Sequence, residues 1–238
     1  MDSKNLVNVS IVTYISFTFL FFVLKFRFFP NTSYYWILVF LILSCIIQLM
    51  QNINITSSPE LCGAPDVSLA LYATVIPWII VFTVFTLFLL VAPGWLRIFS
   101  NTFGVTAAEA YGIKEAINEV FARPLNPGTD PKLMQMLDNI YLDKMALVNE
   151  LDIEDVTEEP FTFPAIQKLV EMKVLEQPLP DKLESVKKLH QALLVKENVG
   201  FFFWFLLIGI FCILVSTLTL LSSNCTPKIG SSYSSIFK

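Results

Sequence analysis

The chain has 238 residues, 55 % of them hydrophobic and 15 % charged, with a mean hydropathy of +0.64. Soluble domains carry about 25 % charged residues, so this composition excludes an ordinary soluble protein and reads as an integral membrane protein. The net charge of −4 is divided: residues 105–199 hold 17 acidic and 10 basic side chains and the rest of the chain 3 and 6, so the one long polar stretch is acidic. It lacks the basic surface that nucleic acid requires.

The first apolar run, 6–24, is rich in Phe, Ile and Val. A cleaved signal would place basic residues ahead of a shorter apolar centre and a small-residue cleavage motif behind it. Here Lys25 and Arg27 follow the run and no Ala-x-Ala pattern appears, so the run predicts a retained transmembrane helix. Pro30-Asn31 is a turn signal. The second run, 36–50, extended by Tyr34 and Tyr35, predicts a helix that forms a tight hairpin with the first. A polar loop is expected over 51–66, with Pro59, Cys62, Gly63 and Pro65 and neither Lys nor Arg.

The third run, Val67–Val91, has 25 residues and no charged side chain, more than the roughly 20 that cross about 30 Å of hydrocarbon. Pro77 inside it is tolerated where neighbours satisfy the freed carbonyl. The run ends at Pro93-Gly94, and the block that follows is expected to lie at the lipid headgroups. Trp95 is its aromatic anchor and Arg97 its basic one. Asn101 and Phe103-Gly104 complete the block, the last pair turning the chain into the polar segment.

Within 105–199 the sequence predicts short helices punctuated by proline. Thr106-Ala107-Ala108-Glu109 matches a capping box. Ala110, Ile113, Ile117, Val120 and Phe121 follow at helical spacing up to Arg123-Pro124. Asp130-Pro131 opens a helix reaching Val148. The acidic stretch 152–159 reads as a loop, and Pro164 begins another helix. Asp181 caps the last one, whose apolar residues Leu183, Val186, Leu189, Leu193 and Val195 meet no Pro or Gly before Gly200. That helix is expected to continue into the fourth run, 200–221. The aromatic start of this run, Phe201-Phe202-Phe203-Trp204, reads as an interfacial belt.

Four spans put the N-terminus, the 51–66 loop and the 222–238 tail on one face, and the Pro30 turn and the acidic segment on the other. Lys25, Arg27, Arg97 and Lys196 flank the second face and Lys4 and Lys228 the first, so the positive-inside rule assigns the acidic segment to the cytosol. Cys62 and Cys225 share the opposite face. There they form a disulfide if that compartment is oxidising, or stay two free thiols. Cys45 and Cys212 lie within spans and read as small apolar packers. Asn54-Ile55-Thr56 is a glycosylation triplet on the cysteine-bearing face, a weak signal.

No catalytic chemistry emerges. The single histidine, His190, falls on a polar helix face with no partner at metal-ligand spacing. The acidic run Asp152, Glu154, Asp155, Glu158 and Glu159 lacks the glycine and ligand order of an EF-hand. There is no phosphate-binding glycine loop and no nucleophile elbow. The four runs hold no ionisable residue of the kind that marks a proton relay, and Gln48 is the most polar residue well inside them. We therefore expect no enzyme activity, no metal and no cofactor.

The combination of Cys62-Gly63, Pro77-Trp78 and the Pro93-to-Gly104 block resembles a membrane protein of large nucleocytoplasmic DNA viruses such as chloroviruses. The likeness extends weakly over 141–151. It implies a minor capsid protein or virion membrane protein beneath an icosahedral shell, with the lipid bilayer and capsid or other virion membrane proteins as partners. The location it implies is the virion internal membrane derived from host endoplasmic reticulum.

The expected fold is thus an all-α integral membrane protein of four transmembrane helices with one small helical extramembrane domain between spans three and four. Its parts are 1–33, 34–66, 67–104, the acidic domain 105–199, and 200–238. The expected function is a non-enzymatic structural link between membrane and capsid. The alternatives are an oligomeric pore lined by Ser, Thr, Asn and Gln, and a cellular scaffold of the endoplasmic reticulum.

Overall fold

A computed structural model describes residues 3–28, 35–120, 148–149, 151, 183–223 and 225 of the chain. The predicted turn at Pro30, the helices opening at Asp130-Pro131 (apart from their expected end at Val148) and Pro164, the acidic loop 152–159 and the Asp181 cap lie outside the described residues. Among the described residues the structure is all-helical, with no strand. In chain order the helices are α1 (Ser3–Phe28), α2 (Tyr35–Thr56), α3 (Val67–Val91), α4 (Gly94–Phe99), α5 (Val105–Ala110), α6 (Ile113–Val120) and α7 (Leu183–Ser222), with a π-helical turn at Ser100–Gly104 between α4 and α5. Four of them, α1, α2, α3 and α7, are long and apolar enough to cross a membrane.

The third helix has the bounds of its apolar run. The first two exceed theirs, because helix continues wherever polar residues find partners inside the fold. At the end of α1, Lys25 is buried with its ammonium 4.9 Å from the centre of the Trp36 ring, a cation–π contact. At the end of α2, Gln51 to Thr56, expected in a loop, make the last turn and a half of helix. The fourth span is continuous with the helix before it: α7 has 40 residues and no break at Gly200.

The chain divides into two compact units, Met1–Val91 with Phe205–Lys238, and Ala92–Trp204. The first is built from α1, α2, α3 and the second part of α7. Its centre is aromatic. Phe40 stacks against Phe17 at 5.6 Å, Phe82 against Phe205 at 5.3 Å, and Trp36 meets Phe205 edge-on at 5.4 Å. Such pairs add about 0.5–1.5 kcal/mol each beyond the area they bury. The side chains turned outward from these helices are predominantly large and apolar, among them Val12, Phe19, Leu38, Ile42, Ile80, Leu87 and Leu218.

The second unit gathers α4, the π turn, α5, α6, Val148, Leu151 and the first part of α7. Ala108, Ile113, Ile117, Val120, Val148, Val186, Leu189, Ala192 and Leu193 form its core. Three of the five apolar positions read along the last helix, Val186, Leu189 and Leu193, are in that core. Sequence spacing had suggested one helix from Ala110 to Phe121. The structure interrupts it at Gly112, whose φ of +92° is a left-handed conformation that glycine adopts without steric cost. The amide N–H of Gly112 bonds to the Glu109 carbonyl at 3.1 Å and closes α5 before α6 begins.

Candidate functional site

Two arrangements stand out, one in each unit. In the first unit, α2 carries Ser44, Gln48, Asn52 and Thr56, four residues apart, and all four are buried. Residues at that spacing share one helix face, so an otherwise apolar helix turns a polar stripe inward. Asn52 is the hub. Its side-chain nitrogen donates to Thr74 Oγ1 of α3 and to Ser216 Oγ of α7, both at 2.8 Å, and its oxygen accepts from Gln48 Nε2 at 2.9 Å. Thr74 Oγ1 donates onward to the Ala70 carbonyl at 2.7 Å. One fully buried asparagine thus ties three helices together.

The polar end of this unit is held by further bonds. Asp66 Oδ1 accepts the Leu69 N–H at 3.0 Å, capping α3, and the Asp66 N–H donates to Thr56 Oγ1 at 3.2 Å. Cys62 in the α2–α3 loop and Cys225, just beyond α7, are joined by a disulfide with their Cα atoms 5.6 Å apart. Cys212 is buried and its thiol points at the Pro77 carbonyl at 3.7 Å, while Cys45 is half-buried. The glycosylation triplet falls in the last turns of α2: Asn54 faces outward, but the Thr56 hydroxyl is buried and donates to the Ile53 carbonyl.

In the second unit the predicted interfacial block is helical throughout. Pro93 precedes α4 and Gly94 opens it. Trp95, Arg97, Ile98 and Phe103 are exposed, as a headgroup-facing segment would need. Asn101 instead turns toward the protein and donates to the Asn149 carbonyl at 3.4 Å. Phe103 and Gly104 make no turn: Gly104 has helical dihedrals and leads straight into α5. The capping box is overturned for the same reason. Helix already exists upstream, so the Thr106 hydroxyl donates back to the Thr102 carbonyl at 3.1 Å and caps nothing.

Gly104 matters for another reason. A Cβ there would collide with the backbone carbonyl of Lys196 in α7, and a Cβ on Gly200 would come within 2.8 Å of Ser100 Cβ. Ser100, Gly104 and Ala108 on one side and Gly200, Lys196 and Ala192 on the other run in antiparallel register. Small residues at every one of these positions except Lys196 let two backbones approach this closely, and the π turn, in which the Val105 N–H reaches back to Ser100 O, sits at the crossing. Around it Phe103 stacks on Phe203 at 4.1 Å and Trp204 meets Phe99 at 5.9 Å. Phe201 and Trp204 are therefore buried in this unit rather than forming the expected outward belt. Lys196, read as a membrane-flanking cation, is buried too, its Nζ donating to the Val148 carbonyl at 2.6 Å.

Neither arrangement brings together a nucleophile and a base, and among the described residues no group of three or more His, Cys, Asp or Glu side chains could hold a metal ion. Sequence reading missed the Asn52 hub because the apolar run stops at Met50; the signal was the four-residue repeat of polar side chains from Ser44 to Thr56. It missed the crossing because Gly104 was read as a turn. No protein-family profile, curated protein or solved structure matches the chain.

Proposed function

We propose that this chain is a multi-pass membrane protein with a non-enzymatic structural role, in which α1, α2, α3 and the apolar part of α7 span the bilayer and the acidic 105–199 segment is displayed on one side to bind other proteins. The observation that carries this reading is the orientation of polar groups in the first unit. The Gln48–Asn52–Thr74–Ser216 network turns inward, while the outward side chains are predominantly apolar, Ser16 and Thr83 being exceptions, as a lipid-facing surface allows. An oligomeric pore would need the reverse, a polar face turned toward neighbouring copies. The aromatic cluster around Phe40 and Phe205 also fills the centre of the unit.

The Cys62–Cys225 disulfide favours an oxidising compartment for its own face, and so the cytosol for the acidic segment. The resemblance of Cys62-Gly63, Pro77-Trp78 and the Pro93-to-Gly104 block supplies the setting within this proposal: the internal membrane of a large DNA virus, with capsid or virion membrane proteins as the partners. Crosslinking with mass spectrometry on intact source membranes or particles tests it. Crosslinks from Lys114 or Lys187 to abundant shell or coat proteins are expected. Crosslinks confined to copies of the chain, together with ion flux in liposomes, would refute the structural role in favour of a pore.

A further inference from the structure

The interior of the first unit holds polar groups that its own hydrogen bonds do not use. Ser10 Oγ of α1, Ser44 Oγ of α2 and Trp78 Nε1 of α3 are each fully enclosed, on residues no more than 1 % exposed, and find no hydrogen-bond partner within the protein. Thr18, Ser58 and Thr86 of the same unit are likewise unpartnered, while several other hydroxyls satisfy themselves by bonding back to their own helix. Thr74 does so to Ala70, Thr217 to Ile213 and Thr219 to Val215, at 2.7–2.9 Å. That escape is open to any helical serine or threonine, and Ser10 and Ser44 do not take it.

Helix register and the contacts of Tyr14 relate their positions. The ring of Tyr14 lies edge-on to Trp78 at 5.7 Å and to Phe40 at 6.4 Å. Ser10 is one turn before Tyr14 on α1, and Ser44 is one turn after Phe40 on α2. Trp78 is one turn beyond Thr74, which bonds to Asn52. Helix register thus sets Ser10 and Ser44 on the same side of the Tyr14–Phe40 contact, the side toward which Gln48 and Asn52 follow Ser44 along α2, with Trp78 against the Tyr14 ring.

We propose that this layer is a hydration site: ordered water held by Ser10, Ser44 and the Trp78 indole inside the four-helix unit. Two hydroxyls that both donate and accept, and an indole that donates, supply the roughly three bonds a buried water makes. An enclosed donor without such a partner carries the full penalty of its lost hydration. Nothing in the layer is charged, so the ligand is neutral. The site adds to the structural reading above and does not depend on it.

The test uses the full chain with indole-15N tryptophan in phosphatidylcholine bilayers and water-edited solid-state NMR, the Trp78 signal being the one lost in Trp78→Phe. At short mixing times the Trp78 indole is expected to gain intensity from water about as fast as that of the half-exposed Trp95. Build-up at Trp78 only at mixing times long after that of Trp95 has levelled off would overturn the proposal. Ser44→Ala gives an independent sign. If the hydroxyl holds water, its loss lowers the unfolding midpoint by several degrees; if it is bare, removing it leaves the midpoint unchanged or raises it, and the proposal fails.

Discussion

Tyr14 donates its phenolic hydrogen to the carbonyl of Phe205 at 2.7 Å, across 191 positions of sequence. The ring lies flat against Gly209, one turn further along α7, where an added Cβ would coincide with the phenol. The first helix of the chain and the last are thus fitted to each other through one tyrosine and the absence of one side chain. Gly209→Ala is expected to destabilise the protein by about 1–3 kcal/mol, the usual cost of overpacking. Tyr14→Phe, which loses only the hydrogen bond, should cost about 0.6 kcal/mol, the average for such bonds within membranes. Thermal unfolding in detergent separates the two. In a Tyr14→Ala background the Gly209→Ala penalty should vanish, and an unchanged penalty would show that the two positions are not coupled.

The Asn52 hub makes a second prediction. Asn52→Leu removes both donors at once and leaves Thr74 and Ser216 without their shared partner, so stability should fall by about 1–3 kcal/mol. Ser216→Ala should cost less, and the double variant should cost little more than Asn52→Leu alone, because residues in one network are not additive. Full additivity in a thermal or denaturant titration would mean that the 2.8 Å contact between them contributes nothing.

How far these features were legible depended on whether a residue's role is local. The third helix could be read to the residue, since a run of 25 uncharged apolar side chains has no other comfortable conformation. The continuation of the last helix through Gly200 was legible because nothing in 183–222 breaks it. Asn52 was not, since an asparagine after an apolar run looks like a loop until Thr74 and Ser216, 22 and 164 positions away, are brought to it. The capping box misled for a related reason: Thr106 and Glu109 have the right spacing, but a cap needs a helix start, and the chain is already helical from Gly94. Gly112 was visible as a glycine. Only its φ of +92° makes it a terminator.

The crossing in the second unit predicts that size, not polarity, limits positions 104 and 200. Gly104→Ala must push α5 away from the Lys196 backbone, which cannot yield as a flexible side-chain tip would. The expected cost is about 1–3 kcal/mol. Gly200→Ala meets Ser100 Cβ and the Ser100 backbone nitrogen at 2.8 and 3.1 Å and should behave alike. Trp95→Ala is the control: the residue is half exposed, so its loss should leave the unit folded while weakening any membrane contact of α4. Limited proteolysis of the 105–199 segment reads the difference. Faster cleavage in the glycine variants but not in Trp95→Ala is the expected pattern, and the opposite order would remove the crossing as the unit's organising contact.

The disulfide predicts a specific thiol count. With Cys62 bonded to Cys225 and Cys45 and Cys212 free, alkylation of the denatured, unreduced protein should add two labels by mass spectrometry, and alkylation after reduction four. Because the bond spans 163 positions, it closes a large loop, for which chain entropy alone gives about 5 kcal/mol against the roughly 2–4 kcal/mol that disulfides typically contribute. Cys62→Ser and Cys225→Ser should therefore destabilise equally, and the double variant no further, since either substitution removes the whole cross-link. Four labels without reduction would show that the bond does not form in the compartment where the protein resides. Two labels would place the α2–α3 loop and the end of α7 in an oxidising space, as the proposed topology requires.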